Sequence, residues 1–313
     1  MYFPILRGKQ FELIALRDIS NILKANKSIV SPIIEPVKES SSVLKKTLEV
    51  LRANDINFNI IVNPIVGDLQ NNASTILQLL KSTLQGYSNF QICFYIHKED
   101  SINHCFNIAQ QINFDFKGFA FIHNIALEGL SDLNKFDKIT PTLYNLVNFS
   151  KTNRRYNRNF QKETLVLLDD YFNAASKNSD YVHNTDEPFT EEHLYYKQDG
   201  FIGFSDYLTI GDSFSEGGFL PYAVVIHLTY IDDYKKLRIR HFVSDSNQDS
   251  TDIGGKFSEA LDKLIKWVNE NHLSTQAIQE FQDLHRKGHF PGLGSVKKLS
   301  IMHHIELLLN IIE

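Results

Sequence analysis

Short apolar runs alternate with stretches whose apolar residues recur every three or four positions, beginning at the first residue. Tyr2–Leu6, Ile29–Ile34, Asn59–Val62, Gln91–Ile96, Gly118–Ile122, Leu143–Val147, Leu165–Leu168 and Phe201–Phe204 read as strands. Between them, helical spacing is found at Phe11–Leu23, Val43–Leu51, Ile76–Leu84, Ile102–Ile112 and Leu127–Phe136. Ser40-Ser41-Ser42 and Ser74 offer N-caps, and Gly86 a stop. The first seven strands are near-continuous apolar runs, the signature of strands covered on both faces, as in parallel sheets. Eight such strands with intervening helices count out a closed, TIM-like eight-fold β/α barrel. An open doubly wound sheet is the structural alternative, and no Gly-x-Gly-x-x-Gly follows the first strand to favour its dinucleotide-binding version.

The rhythm breaks twice. Residues 173–199 form a polar, acidic insertion with helical character around Thr190–Tyr196. Beyond Gly218, Tyr222–Tyr230 and Leu237–Val243 read as an antiparallel hairpin, and two helical stretches, Lys256–Asn271 and Lys297–Ile312, close the chain. The expected organisation is a barrel over 1–218, interrupted at 173–199, with a hairpin and helical extension over 219–313 packed on it as a single structural unit.

Composition narrows the function. A chain of 313 residues, 42% hydrophobic, is long enough for one large α/β domain. The net charge of −5 gives no global basic footprint, which argues against nucleic acid as a partner. The one basic cluster, Lys151 to Arg158, reads as a solvated loop or a phosphate contact. Cys93 and Cys105 are too few and too separated for a disulfide framework or a metal site, so buried reduced thiols are expected. The N-terminus lacks the order of a signal peptide, and no segment approaches the length of a membrane span, so a cytoplasmic protein is predicted.

In a β/α barrel, function collects where the strands end and the following loops converge. Just past the predicted strands stand Arg7 and Lys9, Glu35 and Lys38, Asn63, His97 and Lys98, His123 and Asn124, Asn148 and Lys151, Asp169 and Asp170, and Ser205 and Asp206. Three readings follow. Glu35, His97, Asp169 and Asp206, joined by His123, are candidate catalytic groups, as acid/base pairs or ligands of a divalent metal. Arg7, Lys9, Lys38 and Lys98, with Asn63 and His123, are candidate groups for binding a phosphate-containing substrate. In the third reading, opposite charges simply pair across the mouth. The loop Gly203–Gly218 concentrates glycines and short polar side chains; it can cradle an anion or turn the chain into the hairpin. His227, mid-strand among apolar residues, reads as a core histidine. His303 and His304 point apart on their helix, so one is expected to pack and the other to meet solvent. Glu35-Pro-Val-Lys38 is one residue too long for a nuclease Glu-x-Lys ending.

Three passages resemble the beta-protein family of phages and bacteria: Tyr2-Phe-Pro-Ile-Leu-Arg7-Gly8-Lys9-Gln10-Phe-Glu12 at the start, Pro32-Ile-Ile-Glu35-Pro36-Val-Lys38, and the Gly203–Gly218 loop running into Pro221–Tyr230. The resemblance spans nearly the whole chain. It implies a component of an antiphage defence or toxin–antitoxin-like cassette, acting as regulator or binding subunit beside a toxic or nuclease-like protein partner encoded nearby. It implies no particular catalytic residue. Arg7-Gly8 and Glu35 also resemble the glycerophosphodiester phosphodiesterases, which implies a metal-assisted hydrolase acting on a phosphorylated small molecule or nucleic acid. This chain has Leu6 where those enzymes carry a histidine and Val37 where they carry an acid, so that metal site is incomplete.

Overall fold

The computed structural model describes residues 1–40, 42–153, 155–217 and 220–312. Ser41 of the serine run, Arg154 of the basic cluster and Gly218 of the loop lie outside the described residues. In chain order the elements are β1 (Tyr2–Arg7), α1 (Gln10–Asp18), α2 (Ser20–Ala25), β2 (Ile33–Glu35), α3 (Ser42–Ala53), β3 (Phe58–Ile61), α4 (Ala73–Thr83), β4 (Phe90–Ile96), α5 (Ser101–Ala109), β5 (Gly118–His123), a 3-10 helix (Ser131–Lys138), β6 (Thr142–Asn148) and β7 (Leu165–Leu168). They continue with β8 (Asp186–Thr190), α6 (Glu192–Tyr195), β9 (Gly203–Asp206), β10 (Val225–Ile231), β11 (Leu237–Val243), α7 (Ile253–Glu270), α8 (Gln276–Lys287) and α9 (Leu293–Ile311).

The chain divides into two compact units. The first comprises Met1–Asp170 and Glu192–Tyr207. In it, eight parallel strands close into a barrel in the order β1-β2-β3-β4-β5-β6-β7-β9, as the apolar runs predict. Side chains alternate between the two faces of a strand. One set fills the interior: Phe3 and Ile5, Ile33, Ile61, Cys93 and Tyr95, Ala120 and Ile122, Leu146, Val166 and Leu168, and Tyr207. The other set faces the helical layer, where Phe94, Phe119 and Phe121 pack on Phe136 of the 3-10 helix. Gly203 lies where β9 passes β1; a Cβ there would meet the Met1 carbonyl at 2.5 Å and the Phe3 ring at 2.7 Å.

Several local expectations shift. The helix expected over Phe11–Leu23 is two, α1 and α2. The one expected over Leu127–Phe136 is a 3-10 helix displaced to Ser131–Lys138, with Gly129 outside it. α4 is capped by Asn72, whose side chain accepts from the Thr75 amide, while Ser74 lies inside the helix. Cys93 and Cys105 are buried and unbridged.

The second unit comprises Tyr171–Glu191 and Leu208–Glu313. The predicted hairpin, β10 with β11, gains a third antiparallel strand, β8, donated by the polar insertion. β8 reads Asp-Glu-Pro-Phe-Thr, and Pro188 is tolerated because β8 is an edge strand. α7 packs on the sheet through Trp267, which meets Tyr230 and Phe242. α9 packs through His303 and His304, both fully buried, which corrects the expectation that one meets solvent. His303 Nε2 bonds the Thr229 carbonyl at 2.7 Å and His304 Nδ1 bonds the Thr229 hydroxyl at 3.0 Å. A third helix closes this unit, α8, capped by Thr275 and stopped by Gly288 in the left-handed region. No described helix is long and apolar enough to cross a membrane.

Candidate functional site

The strand ends of the barrel carry a buried ion pair. Arg7 follows Phe3 and Ile5 on the inward face of β1, and Glu35 follows Ile33 on that of β2. Their Cα atoms are register partners, so the side chains meet: Arg7 Nη1 donates to Glu35 Oε2 at 2.5 Å. Arg7 is 5% exposed and Glu35 not at all. Glu35 Oε1 accepts the Ile65 amide at 3.1 Å, and the Tyr95 hydroxyl donates to Oε2 at 3.4 Å. The Arg7 guanidinium lies 5.9 Å from the centre of the Tyr207 ring. Gly8 lets the strand ends close up, donating to the Glu35 carbonyl at 2.6 Å where a Cβ would stand 3.0 Å from that oxygen.

Alternation sends two other candidates to the opposite face. Ala120 and Ile122 point inward, so His123 points into the helical layer. There its Nε2–H donates to Asn145 Oδ1 at 3.1 Å and its Nδ1 accepts the Tyr156 hydroxyl at 3.0 Å. Both ring nitrogens are engaged, and the Asn145 amide is itself oriented by donating to Thr164 Oγ1 at 3.1 Å. Asp206, one step before inward-facing Tyr207, is also turned outward. It accepts the Tyr2 hydroxyl at 2.8 Å and is fully buried. Burial, and then Asp206, push the Tyr2 hydroxyl well above its ordinary range. Ser205 and Asp206 lie within β9, not beyond it.

The remaining candidates are spread around the rim. Asn63 serves as a two-point extension of the ladder, donating to the Tyr95 carbonyl at 2.9 Å and accepting its amide at 2.8 Å. Asp169 accepts the Ser150 hydroxyl. Lys38 pairs with Asp68 at 3.4 Å and Lys98 with Asp100 at 3.6 Å, all four solvent-facing. His97 is exposed, and Lys9 is the N-cap residue of α1. The barrel thus brings Arg7 to Glu35, while Asp206, Asp169, His97 and His123 each sit in separate surroundings. Tyr95 and Tyr207 complete the inward constellation. The strand-end rule misses Tyr95 because it lies inside β4; its inward alternation with Cys93 is the signal that finds it.

His123 carries a measurable consequence. Burial holds its pKa down to about 4, from an ordinary value near 6.5. The unfolded chain therefore takes up a proton before the folded chain does, and stability falls as pH drops from about 6.5 toward 4. At pH 5 the loss assigned to this histidine is about 2 kcal/mol. Urea unfolding at pH 7 and pH 5 measures it: His123→Leu is expected to lose that much less than the parent chain between the two pH values, and an equal loss in both counts against the assignment.

Among the described residues, no group of three or more His, Cys, Asp or Glu side chains is arranged to hold a metal ion. The chain matches no protein-family model, no curated protein and no solved structure.

Proposed function

We propose that this chain is a binding or regulatory subunit, acting beside a toxic or nuclease-like protein encoded nearby in an antiphage or toxin–antitoxin-like cassette. What supports this reading over hydrolysis is how the polar groups at the barrel's strand ends are used. Glu35 is spent on Arg7, the Ile65 amide and Tyr95; Asp206 accepts from Tyr2; Asp169 accepts from Ser150; and His123 has both ring nitrogens bonded within the fold. A hydrolase needs acids and bases converging on one reacting atom. Here the acids are distributed over two faces of the barrel wall, each with a structural partner.

We place the partner contact at exposed apolar side chains. Leu220 and Tyr222, after the glycine-rich loop, are 64% and 59% exposed. Contiguous exposed apolar surface marks interaction sites, and we take these two side chains as part of one. Co-expression of the full chain with the neighbouring gene product, followed by affinity capture, tests the proposal. Co-purification is expected, and the double variant Leu220→Ser/Tyr222→Ser is expected to weaken capture about tenfold or more. A chain that never engages its neighbour removes the reading. A phosphodiesterase activity lost in both Glu35→Gln and Asp206→Asn, with folding intact, would install the hydrolase in its place.

A further inference from the structure

The three-stranded sheet of the second unit carries a row of polar side chains across one face. His227 of β10 and His241 of β11 are direct register partners. Glu187 of β8 is opposite Ile239 of β11, within diagonal reach of His241. The row is hydrogen-bonded throughout. His241 Nε2 meets Glu187 Oε1 at 3.2 Å, and His241 Nδ1 meets His227 Nδ1 at 2.7 Å. Glu187 is fixed in turn by Asn173 and Asn184, whose amides donate to its Oε2 at 3.2 and 2.8 Å.

This chain of contacts sets the proton positions. A carboxylate only accepts, so His241 carries its proton on Nε2 and presents a lone pair at Nδ1. His227 then donates from Nδ1, which leaves His227 Nε2 as a bare acceptor. Burial, His241 and Lys297 hold the His227 pKa down, to about 3, so the ring stays neutral at physiological pH.

His227 lines a cleft of about 320 Å³, within the range of small-molecule sites. Phe172, Tyr181, Val225 and Val296 form apolar walls, and the Phe172 and Tyr181 rings stand edge-on to the histidine, with centroids 5.1 and 4.9 Å away. Thr209 lines the same cleft; it is 3% exposed, and its hydroxyl is buried with no hydrogen-bond partner among the described residues. Asn178, Lys297 and Ser300 also line the cleft, so its surface is mixed; apolar walls with a fixed acceptor and the Thr209 hydroxyl give the donor–acceptor pattern of a ligand site.

We propose that this cleft binds a small, uncharged molecule with an apolar body and a hydroxyl group, whose proton is accepted in a hydrogen bond by His227 Nε2 and whose oxygen is met by Thr209. His241 and Glu187 are positioning residues that fix the His227 tautomer. The proposal does not depend on the reading of the barrel.

The probe is phenol, titrated into the full chain labelled with 15N at histidine, with toluene as the isostere lacking the hydroxyl. Before ligand is added, His227 is expected to show a protonated Nδ1 and a bare Nε2, and His241 the reverse. Phenol is expected to shift the His227 Nε2 signal saturably with a Kd on the order of 1 mM, and to bind about tenfold tighter than toluene, the worth of one good hydrogen bond. Glu187→Gln is expected to move both histidine signals toward the tautomer average, a response that a purely structural role would not give. Thr209→Val should weaken phenol binding several-fold. A proton found on His227 Nε2, the absence of a saturable shift, or equal affinity for phenol and toluene would each overturn the proposal.

Discussion

Replacing Glu35 by alanine is expected to destabilise the barrel by about 3–5 kcal/mol, because it removes a fully buried carboxylate that accepts from Arg7, the Ile65 amide and Tyr95. Two effects compete at this pair. Taking both charges out of water is costly; their mutual attraction, together with the Ile65 amide and the Tyr95 hydroxyl, offsets that cost. The pair is therefore worth little compared with a well-packed apolar substitute, whereas half the pair is a liability. The double variant Arg7→Met/Glu35→Leu should recover most of the loss, giving a large coupling in a double-mutant cycle. Urea denaturation at pH 7 reads all four species. Since the pair is shielded from solvent, 1 M NaCl should change the coupling little. A Glu35→Ala variant within about 1 kcal/mol of the parent would show that Arg7 finds solvent or another anion, and the rim would then have to be reconsidered as an open anion site.

A second large loss is expected from Phe136→Ala, again about 3–5 kcal/mol. Phe136 is fully buried, and its ring meets Phe94, Phe106, Phe119 and Phe121 at centroid separations of 5.8, 5.3, 5.2 and 4.9 Å, every one edge-to-face. Such pairs add to the area they bury, and four rings closing on one leave little freedom to collapse into the space vacated. Phe136→Leu, which keeps most of the volume, should cost less than half as much. Tyr234→Ser, at a position 79% exposed, should be near neutral and serves as the control. Equal losses for Phe136→Ala and Phe136→Leu would point to the edge-to-face geometry, and not the volume, as the dominant contribution.

The barrel is legible in the sequence because its strands are buried on both faces. Runs such as Phe90–Ile96 carry no polar interruption strong enough to hide them. β8 is illegible for the opposite reason. Two acids and a proline spell a turn, and only an edge position beside β11 makes that segment a strand. α8 lacks an apolar run, yet Ala277, Ile278, Phe281 and Leu284 form one buried stripe. The candidate site divides in the same way. Arg7 and Glu35 are found by counting strand ends. Asp206 is misassigned to the mouth because β9 runs two residues further than the apolar run Phe201–Phe204, so Asp206 lies within the strand, on the face opposite inward-facing Tyr207. The His227–His241 contact depends on the register of a hairpin, and its connecting residues do not determine that register from composition alone.

β8 also has a consequence for where this polypeptide can be divided. Its segment leaves between the seventh and eighth strands of the barrel, and the chain returns at α6 to finish the ring. No single cut point therefore yields two autonomous fragments. A piece beginning at residue 208 would present the bare flank of β11, with backbone groups that normally pair to Asp186–Thr190 free to recruit other molecules, and fibrous or oligomeric material is its expected fate. During synthesis on the ribosome the ring cannot close until after Asp186–Thr190 has emerged, and that strand must then wait for partners made later. The order of translation thus binds the maturation of both halves into one event.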